Sequence, residues 1–374
     1  MTHKRLLALI LLFILSGYNT VFSQLTFPLR GAFYYSWYPA TWSVNGKHVF
    51  YQPTLGYYSS DDQAVVDQHI KDLDYANVNV GIASWWGINQ QSENTRIPML
   101  LNRTIAAGSA LKWAMYYEKE GFGNPTVAEI QTDLAYIKQQ YVPSQAYATI
   151  NGKPVIFVYN ADDNTCEVAD RWAQATNNEW YLCLKVVGGY AGCAHQPSTW
   201  HQYGPDSPEQ RMSGYSIVIA PGFWRADVDT PLLARNPTRF SQNVRDMVAS
   251  KEHWQLITTF NEWGEGTAVE SAKDWESASG YGLYLDALHN NGNPNSVVNL
   301  RSDDPDNTVR NLSVPRNTEL SIYDLKGRLI KTLKNSTFTN YSIEINKDVL
   351  PRGMYFLKLK TEQSGSLSKK IVVY

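Results

Sequence analysis

The sequence has few cysteines and no excess of charge of either sign. Its 374 residues include 33 basic and 35 acidic side chains, for a net charge of -2. Such a balance gives no overall field that would attract nucleic acid or an anionic membrane surface. Three cysteines, Cys166, Cys183 and Cys193, allow at most one disulfide. Proximity along the chain favours a Cys183–Cys193 pair, and three separate buried thiols are an equal alternative.

Several catalytic motifs are also missing. The chain contains no G-x-S-x-G elbow, no H-E-x-x-H helix, no P-loop and no G-x-G-x-x-G turn. Its histidines are scattered, and none is paired at metal-ligand spacing. They are His3, His48, His69, His195, His201, His253 and His289. The sequence therefore predicts neither a metal nor a cofactor.

Long hydrophobic runs are absent except at the N-terminus. There Lys4 and Arg5 precede an apolar run over residues 6–15, and Val21 and Ser23 supply small residues where a signal peptidase cleaves. The run is shorter than the roughly 20 residues that a membrane-spanning helix needs. We therefore expect a signal peptide over residues 1–23 and no stable membrane span.

Aromatic side chains, in contrast, are abundant. They make up 13% of the sequence, with 12 Trp, 24 Tyr and 12 Phe. Flat amphipathic rings suit the apolar faces of sugars, so the composition favours a glycan ligand. A large core accounts for only part of this number.

Eight short apolar or aromatic segments alternate with longer segments of helical periodicity. They begin at Gly31 (GAFYYSWY), Val78 (VNVGIASWWG), Leu111 (LKWAMYYE), Pro154 (PVIFVYN), Trp180 (WYLCLKVV), Thr199 (TWHQYG), Tyr215 (YSIVIAPGFW) and Trp254 (WQLITTFNEW). Residues 59–76 and 125–141 have apolar spacing and first residues typical of helices. This alternation over about 260 residues predicts a (β/α)8 barrel at residues 25–290. Active sites of such barrels lie where the strands end, and the first four and last two segments have an aromatic residue at or next to their last position.

Two glutamates three residues apart lie at the end of the last of these segments and just after it, in FNEWGEGTAVE. Glycoside hydrolysis commonly needs two carboxylates, one to protonate the leaving oxygen and one to act as base or nucleophile. In a helical turn Glu262 and Glu265 would lie about 5–6 Å apart at Cβ, and Gly264 and Gly266 would let the backbone turn sharply. We therefore predict that they are the catalytic pair. The alternative is that Glu262 ties the rim by hydrogen bonds and Glu265 is solvated.

The composition changes after the barrel. Residues 291–299 are rich in Asn, Gly and Pro and are predicted to be a linker. Residues 300–374 contain short strands and a hairpin turn from Asp324 to Gly327, which predicts a small antiparallel β-sandwich. SIYDLKGRLIKTL, LPRGMYFLKLKT and the final KKIVVY resemble the C-terminal sorting domain of the type IX secretion system. An accessory carbohydrate-binding or fibronectin-like sandwich is the alternative.

FNEWGEGTAVE itself is similar to the signature of glycoside hydrolase family 99, the endo-acting α-mannosidases. Three further segments agree in order: GAFYYSWY, LGYYSSDDQAVVDQHI with VNVGIASWWG, and MYYEKEG. The resemblance covers roughly residues 28–290. One departure is Gly264, which stands where the family has histidine, so we expect the substrate preference to differ at this position.

The resemblance implies a retaining reaction. Glu262 would act as base on the 2-hydroxyl of the sugar to give a 1,2-anhydro sugar, and Glu265 would act first as acid and then as base. The residues predicted to bind substrate are Tyr35, Trp37, Trp85, Trp86, Glu118, Trp224, Asn261 and Trp263. Trp85 and Trp86 cannot both face the groove if their strand is regular, because neighbours alternate between faces.

These observations favour a secreted endo-glycosidase that acts on an α-linked, mannan-like polysaccharide. The sorting domain implies the type IX secretion machinery as a partner and a secreted or cell-surface location in a Gram-negative bacterium. A surface glycan-binding protein without catalysis is the second hypothesis, and a role beside a glycosyltransferase is the third. No nucleic-acid partner is expected.

Overall fold

The computed structural model describes residues 25–160 and 165–293, together with residues 309–313, 319–324, 326–334, 342–345, 353–360 and 366–373 near the C-terminus. The predicted signal peptide lies outside the described residues, and so do residues 294–299 of the predicted linker. The boundaries assigned to the signal peptide, barrel, linker and sandwich stay predictions.

Twelve strands lie in the described residues up to 293. They are β1 (Leu29–Tyr34), β2 (Ser43–Val44), β3 (Lys47–His48), β4 (Val80–Trp85), β5 (Lys112–Tyr117), β6 (Thr149–Ile150), β7 (Lys153–Val158), β8 (Tyr181–Lys185), β9 (Thr199–His201), β10 (Glu209–Met212), β11 (Ser216–Ile219) and β12 (Trp254–Ile257).

Eight of these strands form the predicted parallel barrel. Their order is β9, β8, β7, β5, β4, β1, β12 and β11, and every neighbouring pair is parallel. Between β9 and β11 the Ser216 hydroxyl donates to the Trp200 carbonyl at 2.9 Å. The barrel fold is thus confirmed, including the short sixth segment. The other four strands form hairpins: β2 with β3, β6 with β7, and β10 with β11.

Six α-helices lie in the described part of the barrel domain, of which the first five connect barrel strands and the sixth follows β12. They are α1 (Gln63–Tyr75), α2 (Gln91–Ala106), α3 (Val127–Gln140), α4 (Cys166–Thr176), α5 (Pro237–Ser250) and α6 (Leu283–His289). After β8 the chain has only the 3-10 turn Tyr190–Gly192, and after β9 it has β10. The barrel wall is therefore covered by loops at this point.

The helices begin where local chemistry predicts. The Asp62 carboxylate accepts from the Ala64 amide ahead of α1. At α3 the Thr126 hydroxyl accepts from the Glu129 amide while the Glu129 carboxylate accepts from the Thr126 amide, which is a complete capping box. Side chains thus satisfy amides that would otherwise have no partner in the first turn.

Both faces of the barrel strands are buried. In β5, Ala114 and Tyr116 point into the barrel, while Trp113, Met115 and Tyr117 pack in the layer between strands and helices. Trp113 packs directly over Gly81, where an added Cβ would lie 2.3 Å from the indole ring. A larger residue at Gly81 would therefore displace the tryptophan.

The cysteine pairing differs from the predicted one. Cys166 at the start of α4 is bonded to Cys193, which follows the turn after β8, and Cys183 is a free buried thiol in β8. The Cys183–Cys193 prediction is wrong because residue 183 is inside β8 with its side chain in the barrel interior. The disulfide fastens the β8–β9 loop to α4.

The C-terminal region contains antiparallel strands, as predicted. They are β13 (Val309–Ser313), β14 (Glu319–Tyr323), β15 (Leu329–Lys334), β16 (Ser342–Ile345), β17 (Gly353–Lys360) and β18 (Ser366–Val373). One sheet has the order β15, β14, β17 and β18, and β13 pairs with β16. The Gly327 amide donates to the Asp324 carbonyl at 3.0 Å, which forms the predicted hairpin turn. The sequence did not predict β13.

Candidate active site

The turn after β12 carries the two predicted catalytic glutamates at the C-terminal mouth of the barrel. It is a hydrogen-bonded turn and not a helix, since the Gly266 amide donates to the Trp263 carbonyl at 3.1 Å. Gly266 has φ +63°, and a Cβ there would lie 2.6 Å from the Trp224 carbonyl oxygen. Only glycine fits this close approach without strain.

Asn261 fixes this turn to the first strand. Its side-chain amide accepts from the Tyr35 amide at 2.7 Å and donates to the Tyr35 carbonyl at 2.8 Å. The Tyr38 hydroxyl donates to the Asn261 carbonyl at 2.7 Å. Asn261 is fully buried, so its side chain positions the mouth of the barrel and does not face a ligand.

A buried network around Glu270 supports the same turn. The Glu270 carboxylate accepts from the Tyr58 hydroxyl at 2.7 Å and from the Trp263 indole at 3.0 Å, and it lies 3.2 Å from His69 Nε2. Tyr34 bonds the other ring nitrogen of His69 at 3.0 Å. The network joins the segment of Glu270 and Trp263 to that of Tyr58 and His69, about two hundred residues away, so only the folded barrel shows that they are in contact.

Glu262 lies below the surface of the mouth, with 5% of its area exposed. Its amide donates to the Thr259 hydroxyl at 2.8 Å. Burial raises the pKa of Glu262 well above its usual range, and the nearby charges of Glu265 and Glu118 raise it further. Its Oε2 atom is buried and has no hydrogen-bond partner within the described part of the chain. A donor on a ligand would satisfy this atom.

Glu265 is held by a pair of tyrosine hydroxyls. Tyr203 donates to Oε2 of Glu265 at 3.0 Å, and Tyr35 donates to the Tyr203 hydroxyl at 3.0 Å. Burial raises the pKa of Glu265 to about 7, while the Tyr203 hydrogen bond and the Arg225 charge oppose the rise. Sequence reasoning missed Tyr203, although it follows the sixth barrel strand as other aromatic residues follow theirs.

Glu118 is the third carboxylate of the mouth. The Ser84 hydroxyl donates to Oε1 of Glu118 at 2.9 Å, and the Trp86 indole donates to the same hydroxyl at 3.1 Å. Burial raises the pKa of Glu118 to about 8, with a smaller contribution from the charge of Glu265. The three glutamates come from two different strands, β5 and β12, and interact through their charges.

This cluster favours protonated carboxylates near neutral pH, because burial and the mutual charges of the glutamates oppose ionisation of all three. A carboxylic acid with a pKa near neutrality can donate a proton to a leaving group and then recover it. General acid–base chemistry is therefore within the capacity of Glu265.

A cavity of about 520 Å³ opens beside Glu265. Its walls come from the loops after β7, β8, β9 and β11, and they combine polar groups with aromatic rings. The lining residues are Tyr159, Lys185, Val186, Val187, Gly188, Gln202, Tyr203, Gly204, Pro205, Asp206, Gln210, Phe223 and Glu265. A site of this size and mixed polarity fits sugar units better than a purely apolar ligand.

Three of the predicted substrate-binding rings are partly exposed near this mouth. Trp37 stacks on Tyr35 with centroids 4.5 Å apart, and Trp224 stacks on Phe50 at 4.1 Å. The Trp86 indole is linked to the Glu118 carboxylate by hydrogen bonds through the Ser84 hydroxyl. These rings are accessible for stacking on a sugar.

Of the remaining predicted rings, Tyr35 is buried at the mouth, where it stacks on Trp37 and bonds Tyr203. Two others are also buried and are not accessible. Trp85 is fully buried between the barrel and its helices, against Tyr117 and Tyr136, because alternation along β4 turns it away from the mouth. Trp263 is also buried, and its indole bonds to Glu270. We correct both assignments to structural ones, together with that of Asn261.

Within the described residues, no cluster of three His, Cys, Asp or Glu side chains could hold a metal ion. The helices described there are also too short or too polar to cross a membrane.

Two regions of the chain match known families. Residues 47–179 match the model of glycosyl hydrolase family 99, and residues 304–374 match that of a secretion system C-terminal sorting domain. Both resemblances indicated by the sequence are thus confirmed.

Similar proteins include the glycoprotein endo-α-1,2-mannosidases of Xenopus laevis and Rattus norvegicus. The Xenopus protein is 25% identical over 272 residues, which cover 59% of this chain and 58% of the relative. The rat protein is 23% identical over 341 residues, 68% of this chain and 70% of the relative. The chain thus spans just under three fifths of the length of the first relative.

The fold is also shared with solved structures. A GH99 endo-α-mannosidase from Bacteroides thetaiotaomicron, in complex with BIS-TRIS-propane, superposes with a TM-score of 0.55 at 20% identity. The match covers 71% of this chain and 95% of that chain. A structure described as a glycoside hydrolase-like protein gives a TM-score of 0.53 at 15% identity, over 73% and 96% of the two chains. These structural similarities show that the chain shares the barrel fold of these proteins.

Proposed function

We propose that this chain, with its glycosyl hydrolase family 99 domain and sorting domain, is a secreted endo-acting glycoside hydrolase. Its substrate would be an α-linked, mannan-like polysaccharide, cleaved with retention of configuration. The endo-α-mannosidase relatives support the substrate class. The observation that carries the proposal is the pair of Glu262, which is buried, and Glu265, which is partly exposed and lines the cavity at the mouth of the barrel.

In the first step Glu262 accepts the proton of the sugar 2-hydroxyl while that oxygen attacks the anomeric carbon. The glycosidic bond breaks, and Glu265 gives its proton to the departing oxygen. In the second step Glu265 takes a proton from water as the water opens the 1,2-anhydro ring at the anomeric carbon, and Glu262 returns its proton to the 2-oxygen. Two inversions at one carbon give net retention.

The free Oε2 of Glu262 is suited to this role. In the free protein, burial and the Glu265 charge keep a proton on the pair. A sugar hydroxyl that donates to Oε2 would favour the ionised form of Glu262. Substrate binding would therefore move the shared proton toward Glu265, where the reaction needs an acid.

The test is hydrolysis of a panel of α-mannans by the purified protein, with analysis of product sizes and anomeric configuration. Glu262→Gln and Glu265→Gln should each lower turnover by at least about a hundredfold while the fold is kept. The exposed Glu276 supplies the matched control, Glu276→Gln, which should behave as wild type. Near wild-type turnover in either site variant would contradict the proposal.

A glycan-binding protein without catalysis is the second candidate. It is favoured by the depth of Glu262, which does not line the cavity. Retained affinity for a mannan with no product after prolonged incubation would establish this alternative.

The sorting domain supports export. A match to a secretion system C-terminal sorting domain over residues 304–374 fits a protein delivered outside the cell or held at its surface. The type IX machinery would be its partner during export. A role beside a glycosyltransferase is disfavoured because activated sugar donors are scarce outside the cell.

A further inference from the structure

The ring of Phe122 is the most exposed aromatic side chain that the structure describes near the mouth of the barrel. It is 70% exposed and follows the 3-10 turn Lys119–Gly121 at the end of β5. We propose that Phe122 is the outer stacking platform for a pyranose unit of the substrate chain, beyond the sugars at the glutamates. This inference rests on the proposed function, because its ligand is the same glycan.

The turn that carries Phe122 is firmly held. Lys119 Nζ lies 2.7 Å from the Asp133 carboxylate on α3. A Cβ at Gly121 would lie 2.3 Å from the Tyr159 ring, so the turn packs directly against that ring. Since its base is fixed on both sides, Phe122 presents a ring of defined position at little cost in conformational entropy.

Two other rings flank Phe122. Trp86 lies with its centroid 4.8 Å away at an interplanar angle of 41°. Tyr159 lies 6.1 Å away and is more nearly parallel, at 28°. Both neighbours are partly exposed, so the three side chains form one aromatic surface that we call the Phe122 platform.

The Phe122 platform is continuous with the proposed catalytic site in two independent ways. Trp86 donates to Ser84, which donates to the Glu118 carboxylate. Tyr159 lines the same cavity as Glu265. A sugar chain that fills the cavity therefore reaches the platform along a path lined by these rings.

The chemistry of the platform fits a sugar better than another partner. The aliphatic C–H face of a pyranose stacks on an aromatic ring, while its hydroxyl groups meet polar side chains such as Gln202 and Asp206 of the adjoining cavity. The platform consists of three side chains beside the Lys119–Asp133 ion pair, whereas a stable protein interface involves roughly 20–30 residues a side.

The prediction concerns chain length. The purified full chain would be assayed on α-linked manno-oligosaccharides of increasing length. Phe122→Ala should lower kcat/KM by about tenfold for substrates long enough to reach the platform, through KM, and should leave the shortest cleaved substrate unchanged. Phe122→Trp should keep the wild-type dependence on length.

The matched control is Ile105→Ala. Ile105 is 45% exposed in the last turn of α2, at the opposite end of the barrel from the mouth. It should be neutral at every length. An equal effect of Phe122→Ala at all lengths, or no effect at any length, overturns the platform.

Failure of the proposed function gives a different pattern. If wild type cleaves none of these oligosaccharides, binding is measured separately, as the slower migration of the protein in native gels that contain α-mannan. If retardation is weaker for Phe122→Ala than for wild type and is of wild-type strength for Phe122→Trp, the platform is supported, and the protein binds glycan without cleaving it. Retardation unaffected by Phe122→Ala, or no retardation of wild type, overturns the platform together with the function.

Discussion

Gly264 lies directly against the carboxylate of Glu262. A Cβ added at Gly264 would be 3.0 Å from Oε1 of Glu262 and 3.0 Å from a methyl group of Val44 in β2. The hairpin of β2 and β3 is held over this point by Asn45, whose side chain donates to Asp227 at 2.7 Å. The space that a side chain at 264 would need is therefore occupied by the first loop of the barrel.

Gly264→Ala should impair catalysis more than stability. The added methyl must displace either the Glu262 carboxylate or Val44, so we expect kcat to fall about tenfold and stability to fall by about 1–2 kcal/mol. Val44→Ala in the same chain should restore part of the rate by giving the methyl room. Kinetics of the two single variants and the double variant measure this. A Gly264→Ala enzyme with wild-type kcat would show that the contact is unimportant.

Tyr203→Phe should move the pH profile of the reaction. The Tyr203 hydrogen bond lowers the pKa of Glu265, which burial raises to about 7. Removing the hydroxyl raises this pKa further, so Glu265, the proposed acid, stays protonated to higher pH. The alkaline limb of kcat against pH should then move upward by about half a pH unit to one pH unit. Tyr35→Phe is the control, because it keeps the bond between Tyr203 and Glu265. A downward shift in Tyr203→Phe would contradict this assignment.

Glu118→Gln should stabilise the protein in alkaline solution. Burial raises the pKa of Glu118 from 4.5 to about 8, so the folded state holds a proton that the unfolded state loses. The stability linked to this proton is complete below pH 4.5 and is lost as the pH rises through 8. The free energy of unfolding of the variant, minus that of wild type, should therefore be larger at pH 8 than at pH 4.5. The increase should be on the order of a few kcal/mol. Urea unfolding at both pH values tests this, and an unchanged difference would refute it.

Removing the disulfide should destabilise the loop beside the cavity. Cys166 and Cys193 close a segment with a sequence separation of 27 residues, for which the chain-entropy model gives a loss of about 3.5 kcal/mol. Cys166→Ser with Cys193→Ser should show this loss in thermal or denaturant unfolding and should no longer respond to reductant. Cys183→Ala must keep the response to reductant, because the buried Cys183 is unpaired. Equal stability of wild type with and without reductant would mean that the bond contributes little.

Much of the barrel could be predicted from sequence because its signals are local. All eight predicted segments are barrel strands, and α1 and α3 begin at the capping residues that their sequences contain. The turn after β12 could be placed at the mouth because residues that follow parallel barrel strands meet at one end. The position of Glu262 and Glu265 at that end therefore follows from order along the chain.

The partners of these glutamates could not be predicted in this way. Tyr203 bonds to Glu265 from the loop after β9, and the network of Glu270 with Tyr58 and His69 joins residues 212 and 201 positions apart. Cys166 bonds to Cys193 although Cys183 is nearer in sequence. Such contacts depend on which side chains the closed barrel brings together.

The sequence by itself determined the order of the elements, the end of the barrel that carries the carboxylates, and the resemblance of both regions of the chain to known families. Only the tertiary structure decided that Trp86 lies at the mouth while Trp85 and Trp263 are buried. The physical reason is that parallel barrel strands are buried on both faces, so their pattern of apolar residues contains no contrast that tells inside from outside. Closure of the barrel decides which face of each strand points inward. It also creates the buried environment that raises the pKa of each glutamate.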